Sequence, residues 1–355
     1  MARTAFAEVF EIQGRRVGAH EPCYVIAEAG ANHNRDLETA RALIDAAAAA
    51  GCDAVKFQVY SGKALYSSKT PAFQYLRDQG TDKPVDELLE DIALPREWIA
   101  ELVEHAEGRG LPFFATPFDA DAVSELARAG VPALKIASFE IVDLELVGAA
   151  AATGLPLILS CGMATYGEID EALDAVARAG GTEVALLHCA SLYPAPARIM
   201  NLRAMETMHR ALGVPVGLSD HTTGIEVPLG ARGLGMTLLE KHFTLDRGMT
   251  GPDHPFAIEP PELNALVAGI RAIEEALGNG RLEGPSDLEA REMYRLARRS
   301  LIAARDIPAG TVIERSDLVV KRPGFGIKPR DIDRVIGRQA RVDIERDDII
   351  TWEMV

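Results

Sequence analysis

Cysteine is scarce in this chain: four in 355 residues, Cys23, Cys52, Cys161 and Cys189, far apart and with no Cys-x-x-Cys pair. Neither a disulfide framework nor a thiolate zinc site is suggested by that spacing, and a reducing cytoplasm is the expected location. Long apolar runs are also missing. Nothing approaches the ~20 residues of a membrane span, and the alanine-rich stretch 46–50 reads as helix. The opening Met1-Ala2-Arg3-Thr4 lacks the apolar core of a secretion signal. Basic residues are outnumbered, 37 Lys and Arg against 53 Asp and Glu, for a formal charge of −16. That balance disfavours nucleic acid or an anionic membrane as a main partner. An anionic small molecule stays open, because a few lysines inside one cleft override the global field locally.

What is present is ordinary globular composition, 48% hydrophobic and 25% charged, in a chain long enough for one large domain and a small one. Short β-rich runs alternate with helical patterns, as in parallel βαβ units. The strand candidates are 24–29, 54–59, 112–116, 133–137, 156–160, 184–188, 216–219 and 237–241. Most are continuous apolar runs, as strands covered on both faces should be. The first intervening helix has Asp36 as its cap, a stripe of Leu37, Ala40, Leu43, Ile44 and Ala47, and Gly51 as its stop. Eight such units over roughly 250 residues fit a TIM barrel. A doubly wound sheet is the alternative, but no Gly-x-Gly-x-x-Gly follows the first strand. Segment 60–95 is too long for a usual βα loop and is expected to cover the barrel mouth. These patterns divide the chain into a catalytic barrel over 1–277, a linker over 278–299 and a small β-rich domain over 300–355.

Barrel enzymes place their chemistry at the C-terminal strand ends, and the reactive side chains collect there. In chain order the ends offer Glu28 with Asn32-His33-Asn34, then Lys56 and Gln58, Thr116, Lys135 and Ser138, and Ser160. His188, Ser191 and Tyr193 follow, then Ser219-Asp220-His221, and last Glu240 and His242. His221 and His242, on adjacent strand ends, read as a pair for a divalent metal such as Mn, Fe, Co or Zn; singly, each would pass as a hydrogen-bonded rim histidine. Lys56 and Lys135 lie inside strands, where an unpaired lysine is costly, and suit a phosphate or carboxylate. Thr116, Ser138, Ser160, Ser191 and Ser219 add neutral donors, or are ordinary strand-end caps. Glu28 ends an apolar strand, so burial would suit it to proton transfer or hydroxyl binding; a structural carboxylate paired with a lysine is the other reading. Cys189 reads as packing, on the opposite face from His188.

In these motifs the chain resembles the bacterial sialic acid synthases, a family that includes the N-acetylneuraminate, legionaminate and pseudaminate synthases. The resemblance is carried by Glu28-Ala-Gly-Ala-Asn-His33, Lys56-Phe-Gln58, Thr116-Pro-Phe118, Lys135-Ile-Ala-Ser-Phe-Glu140 and Ser160-Cys-Gly-Met163. It continues through His188-Cys-Ala-Ser-Leu-Tyr-Pro194, Gly217-Leu-Ser-Asp-His-Thr222, Glu240-Lys-His-Phe-Thr244, Gly251-Pro-Asp-His254 and Lys321-Arg-Pro-Gly324. It implies a TIM barrel followed by an antifreeze-like (SAF) domain, in a domain-swapped homodimer. The reaction implied is condensation of phosphoenolpyruvate with an N-acetylated sugar, using Mn2+, or Mg2+ or Co2+ in its place. On the same resemblance Lys56, Gln58, Thr116, Lys135, Ser138, Ser160, Ser191 and Ser219 hold phosphoenolpyruvate, and His221 and His242 bind the metal. Glu28, Tyr193 and Asp253 contact the sugar, and Arg322 reaches the partner subunit's site.

Two departures bear on the sugar. Ser191 stands where neuraminate enzymes typically have Asn, and Ser138-Phe139-Glu140 replaces their Ser-Gly-Glu; both resemble the pseudaminate branch. His188 and Gly251-Pro-Asp-His254 resemble the neuraminate and legionaminate branches. N-acetylmannosamine, giving N-acetylneuraminate, is the expected acceptor as the commonest in the resembling family, with a diacetamido-trideoxy hexose as the alternative. A synthase using a phosphosugar would need spare cations at the strand ends. A degenerate barrel serving as a binding scaffold would not need the His221/His242 pair or both lysines.

Overall fold

The continuous apolar runs pair edge to edge in parallel, as strands buried on both faces do. The computed structural model describes residues 5–71, 77 and 83–355, and the chain divides into two units, Met1–Gly278 and Asn279–Val355. In the first unit a short antiparallel hairpin, β1 (Val9–Ile12) and β2 (Arg15–Gly18), precedes the barrel. The barrel strands are β3 (Tyr24–Gly30), β4 (Ala54–Val59), β5 (Phe113–Pro117), β6 (Leu134–Ile136), β7 (Leu157–Ser160), β8 (Val184–Cys189), β9 (Val216–Asp220) and β10 (Leu238–His242). They close on themselves when β10 pairs with both β9 and β3. All eight lie on the eight runs read from the sequence. The differences are at the ends: β9 and β10 run on through Asp220 and His242, so the last polar residues are held by the sheet itself.

The helix Leu37–Ala49 follows the same logic. Asp36 accepts from the Glu38 amide, Ala40, Leu43, Ile44 and Ala47 are buried, and Gly51 beyond the end takes a left-handed conformation. At the foot of the barrel, Asp53 is buried and accepts from the Val25 amide at 2.7 Å while pairing with Arg271 at 2.7 Å. No helix among the described residues is long and apolar enough to cross a membrane.

After β4 the described residues include two short helices, Gly62–Leu65 and Val85–Ile92, ahead of the helix Ile99–Gly108 that leads to β5. They touch at Gly62, where an added Cβ would come within 2.3 Å of the Asp86 carbonyl oxygen and 2.4 Å of the Glu90 amide nitrogen. Ser61 donates to Glu90 at 2.9 Å, and Arg35 donates to the Glu90 carbonyl at 3.0 Å, tying the second helix to the loop after β3. Residues 72–76 and 78–82 of the expected mouth cover lie outside the described residues.

The second unit has a core of its own, built on Leu301, Ile307, Ile313, Leu318, Ile344 and Ile350. Its two-stranded sheet pairs β11 (Ser300–Ala303) with β12 (Leu318–Lys321) antiparallel. Asp317 is fully buried and held by Arg305 at 2.6 Å. The stretch expected as linker is not structureless: Ser286 forms a capping box with Glu289 and starts the helix Asp287–Arg291, and Met293–Ala297 follows.

Gly217 on β9 tests the tightness of the barrel. An added Cβ would lie 2.2 Å from the Leu238 carbonyl oxygen and 2.8 Å from Leu187 Cδ2. Gly217→Ala is expected to lower stability by about 1–3 kcal/mol, the usual cost of overpacking, as measured by urea unfolding; unchanged stability would contradict this packing.

Candidate active site

Strand register decides which polar side chains meet. Pairing of β10, β3 and β4 sets His242 beside Glu28 and Glu28 beside Lys56. Pairing of β4 with β5 sets Gln58 beside Thr116, and pairing of β9 with β10 sets Ser219 beside Glu240. A register shift between Glu28 and Gly30 makes the pairing of β3 with β4 irregular beside Glu28. These side chains converge at the C-terminal mouth around a cavity of about 50 Å³. Among the residues expected at the site, Glu28, Lys56, Gln58, Thr116, Lys135, Ser138, Ser160, Tyr193, Ser219, His221 and His242 line it.

Two buried lysines dominate its floor. Lys56 Nζ contacts Glu28 Oε2 at 2.6 Å and donates to Thr116 Oγ1 at 2.9 Å. Lys135 Nζ donates to the Ile136 carbonyl at 2.8 Å. Between the two ammonium groups lies Glu240, whose Oε2 is 3.8 Å from each and makes no hydrogen bond, while Ser219 donates to its Oε1 at 3.0 Å. Ser160 Oγ is likewise buried without a partner. Burial pulls both lysines down; Glu240 and Glu28 outweigh it at Lys56, which ends above its ordinary value, whereas Lys135 stays below. Burial pushes Glu28 up to about 7 even though Lys56 and Gln58, which donates at 2.8 Å, pull the other way. Two cations and two carboxylates balance, so the floor is poised for an anion that takes over one lysine contact from a carboxylate.

The histidines stand at the rim, ring centroids 5.4 Å apart. His221 Nδ1 lies 2.9 Å from the Ala190 carbonyl, which can only accept; in the neutral ring the proton is therefore on Nδ1 and a lone pair is left on Nε2. Burial holds His242 well below the ordinary imidazole value, with His221 and the lysines adding to the effect. Its Nδ1 is buried without a hydrogen bond, 3.7 Å from Asp253 Oδ2. At His221 burial works the same way but the Cys189 thiol outweighs it and raises the value. Burial lifts the Asp253 carboxyl to about 6. Among the described residues no three or more His, Cys, Asp or Glu side chains converge to hold a metal ion. The Tyr193 ring packs on His221 at 4.3 Å and on Phe256 at 5.4 Å.

Asp253 does not line the inner cavity but a chamber outside it. Ser191 reaches the site through Gly162: a Cβ there would meet Ser191 Oγ at 2.3 Å and Ser138 Oγ at 2.9 Å, and Ser138 Oγ accepts from the Gly162 amide at 2.9 Å. Arg322 is exposed after β12 in the second unit. His188 and Cys189 do take opposite faces, but the roles are reversed from the sequence reading. His188 Nε2 is engaged 2.5 Å from the Met200 carbonyl, and Cys189 Sγ is the group near the site, 3.6 Å from His221 Nδ1. Sequence reasoning also undervalued Glu240, although its place two residues before His242, on the same face of β10, is a signal. Glu140 is a further buried acid near the site that no strand-end pattern singles out: its Oε2 has no hydrogen-bond partner, and burial pushes its carboxyl up to about 7 against the pull of Lys135.

Comparison with known proteins identifies the family. The NeuB family model matches residues 43–282 and the SAF domain model residues 298–355. The N,N'-diacetyllegionaminic acid synthase of Legionella pneumophila is 38% identical, over 95% of this chain and 96% of its own. The pseudaminic acid synthase of Helicobacter pylori is 35% identical, over 90% and 94%. The crystal structure of the N-acetylneuraminic acid (sialic acid) synthetase of Leptospira borgpetersenii in complex with citrate superposes with a TM-score of 0.71 at 36% identity, covering 81% of this chain and 96% of that one. The chain thus belongs to the NeuB family of sialic-acid-type synthases, transferases that condense phosphoenolpyruvate with a sugar, and it carries a SAF domain after its barrel.

Proposed function

We propose that this enzyme joins phosphoenolpyruvate to the open-chain aldehyde of an N-acetylated hexosamine, making a nine-carbon keto acid and phosphate. The observation that carries this reading is the pair of buried lysines with Glu240 Oε2 and Ser160 Oγ unsatisfied between and beside them, opening on two histidines. Lys56 and Lys135 supply charge-assisted contacts to the phosphate and carboxylate, with Thr116, Ser138, Ser160, Ser191 and Ser219 as neutral partners and Gln58 holding Glu28 in place. Glu28, near 7, gives or takes a proton at neutral pH, beside the lysine that faces the anion. By family likeness, C3 of phosphoenolpyruvate attacks the aldehyde carbon, water adds at C2, and phosphate leaves by C–O cleavage.

His221 and His242 fit a divalent ion such as Mn2+: the Ala190 carbonyl fixes the neutral His221 ring with its lone pair on Nε2, and His242 is held below the ordinary imidazole value with no hydrogen bond at Nδ1. A metal bound there supplies Lewis-acid polarisation of the aldehyde oxygen. Asp253 and Tyr193 face the chamber where the sugar chain would extend. The exposed Arg322 is proposed to reach the sugar in the partner's site of a domain-swapped homodimer. N-acetylmannosamine, giving N-acetylneuraminate, rests on its frequency in the family; diacetamido-trideoxy hexoses are the other candidates. A phosphosugar is disfavoured, because neither lysine nor arginine is among the described residues lining the outer chamber.

The direct test is phosphate release from phosphoenolpyruvate with N-acetylmannosamine, diacetamido-trideoxy hexoses and phosphosugars. Release is expected only with unphosphorylated N-acetylated sugars; release with phosphosugars alone would overturn the proposal. His221→Ala and His242→Ala should each abolish metal-stimulated turnover while circular dichroism shows the fold intact. Full turnover by either variant in chelator would remove the metal assignment.

Lys135→Met should raise the phosphoenolpyruvate KM about ten- to a hundredfold, the loss of one charge-assisted contact worth about 1.5–3 kcal/mol. An unaltered KM would show that this lysine does not bind the anion.

A further inference from the structure

Outside the inner cavity lies a second chamber of about 150 Å³. The two share Gln58, Phe118, Ala137, Phe139, Tyr193 and His242 in their walls. A molecule whose reacting end sits at the histidine pair therefore sends its far end into the outer chamber. That wall has a distinct origin. Leu65 comes from the helix Gly62–Leu65, and Leu88, Leu89 and Ile92 come from the helix Val85–Ile92. With Val85, the last three repeat at the spacing of one helical face, and all three are only partly buried. Phe118 and the half-exposed Phe139 continue the apolar surface from the barrel side.

Ordinary packing would bury such a stripe; here it lines a space connected to the chemistry. The wall is also held in place: Gly62 allows backbone to touch backbone, and Ser61 and Arg35 bind Glu90 at the back of the helix. Gln58, His242 and Asp253 come from the barrel strands and their loops, next to the inner cavity. The segment between β4 and β5 contributes five aliphatic side chains, Leu65, Val85, Leu88, Leu89 and Ile92, with the Tyr66 ring beside them.

We infer that this wall selects the acceptor by an apolar chain end. The fitting sugar carries a methyl group where N-acetylmannosamine has its terminal hydroxyl, so a diacetamido-trideoxy hexose is preferred, and Leu88, Leu89 and Ile92 determine that specificity. The inference rests on the reading of the inner cavity as a phosphoenolpyruvate-dependent synthase site. A hydroxyl set against the aliphatic wall loses water partners without replacement, whereas a methyl is matched. Discrimination by an apolar pocket reaches about 10- to 200-fold.

The test compares kcat/KM for N-acetylmannosamine and for 2,4-diacetamido-2,4,6-trideoxy hexoses, in the full-length enzyme with Mn2+. The native enzyme should favour a trideoxy sugar about ten- to a hundredfold. Leu89→Gln should cut that ratio about tenfold or more with the phosphoenolpyruvate KM unchanged, and Leu89→Met should keep it. Ile92→Thr makes the same comparison where Leu89→Gln fails to fold. Equal loss on both sugars in the variants would mean that the helix only packs, and a native preference for N-acetylmannosamine would overturn the inference while leaving the synthase reading intact. Absence of phosphate release with every N-acetylated sugar would instead sink the synthase reading, and this inference with it.

Discussion

Everything at the mouth of this barrel depends on keeping two lysines charged inside a protein. Moving such ions out of water costs several kcal/mol each unless partners replace the solvent. Glu28 and Glu240 are those partners, from strands on either side of the point where the barrel closes. The arrangement is incomplete by design: Glu240 stands 3.8 Å from both lysines, and Glu28 is raised to about 7 instead of being lowered as in an optimal pair. The folded chain therefore holds the Glu28 proton more tightly than the unfolded chain does. Its contribution favours the fold at low pH and is lost as pH rises through about 7. A site tuned for stability would show the opposite sign.

The rest of the barrel serves to fix distances. Parallel register aligns Glu28, Lys56 and His242 across three neighbouring strands, and glycines admit what side chains would block. Gly162 leaves room for the hydroxyls of Ser138 and Ser191, and Gly217 lets β9 and β10 approach. Above this rigid floor the segment between β4 and β5 supplies an aliphatic surface. Charge recognition at the bottom and apolar recognition at the top divide the work between a common reaction and a particular sugar.

Much of this was legible in the residues. Uninterrupted apolar strands ending in polar groups give the barrel and the location of its site, because only strand ends face the mouth. The lysines and histidines stood out because buried strands rarely carry them without a purpose. Glu240 was harder to weigh, since a carboxylate on a strand has no value until the strands beside it are known. Cys189 and His188 were interchanged for a related reason: alternation says that neighbours face opposite ways but not which one faces inward. The specificity wall was hidden in segment 60–95. Its Val85, Leu88, Leu89 and Ile92 spacing is that of any amphipathic helix, and only the fold shows that its apolar face turns to a cavity.

The central claim is that the substrate anion and Glu28 compete for Lys56. Calorimetric titration of phosphoenolpyruvate into the protein at pH 8, in buffers of different ionisation enthalpy, tests it most directly. At that pH a phosphate monoester, with a second pKa of about 6, has no proton left to give. Glu28 is then mostly ionised, and an anion arriving at Lys56 should raise its pKa further. The account predicts net uptake of up to about one proton per bound phosphoenolpyruvate, strongly reduced in Glu28→Gln. Binding without proton uptake, or uptake unaffected by Glu28→Gln, would contradict it.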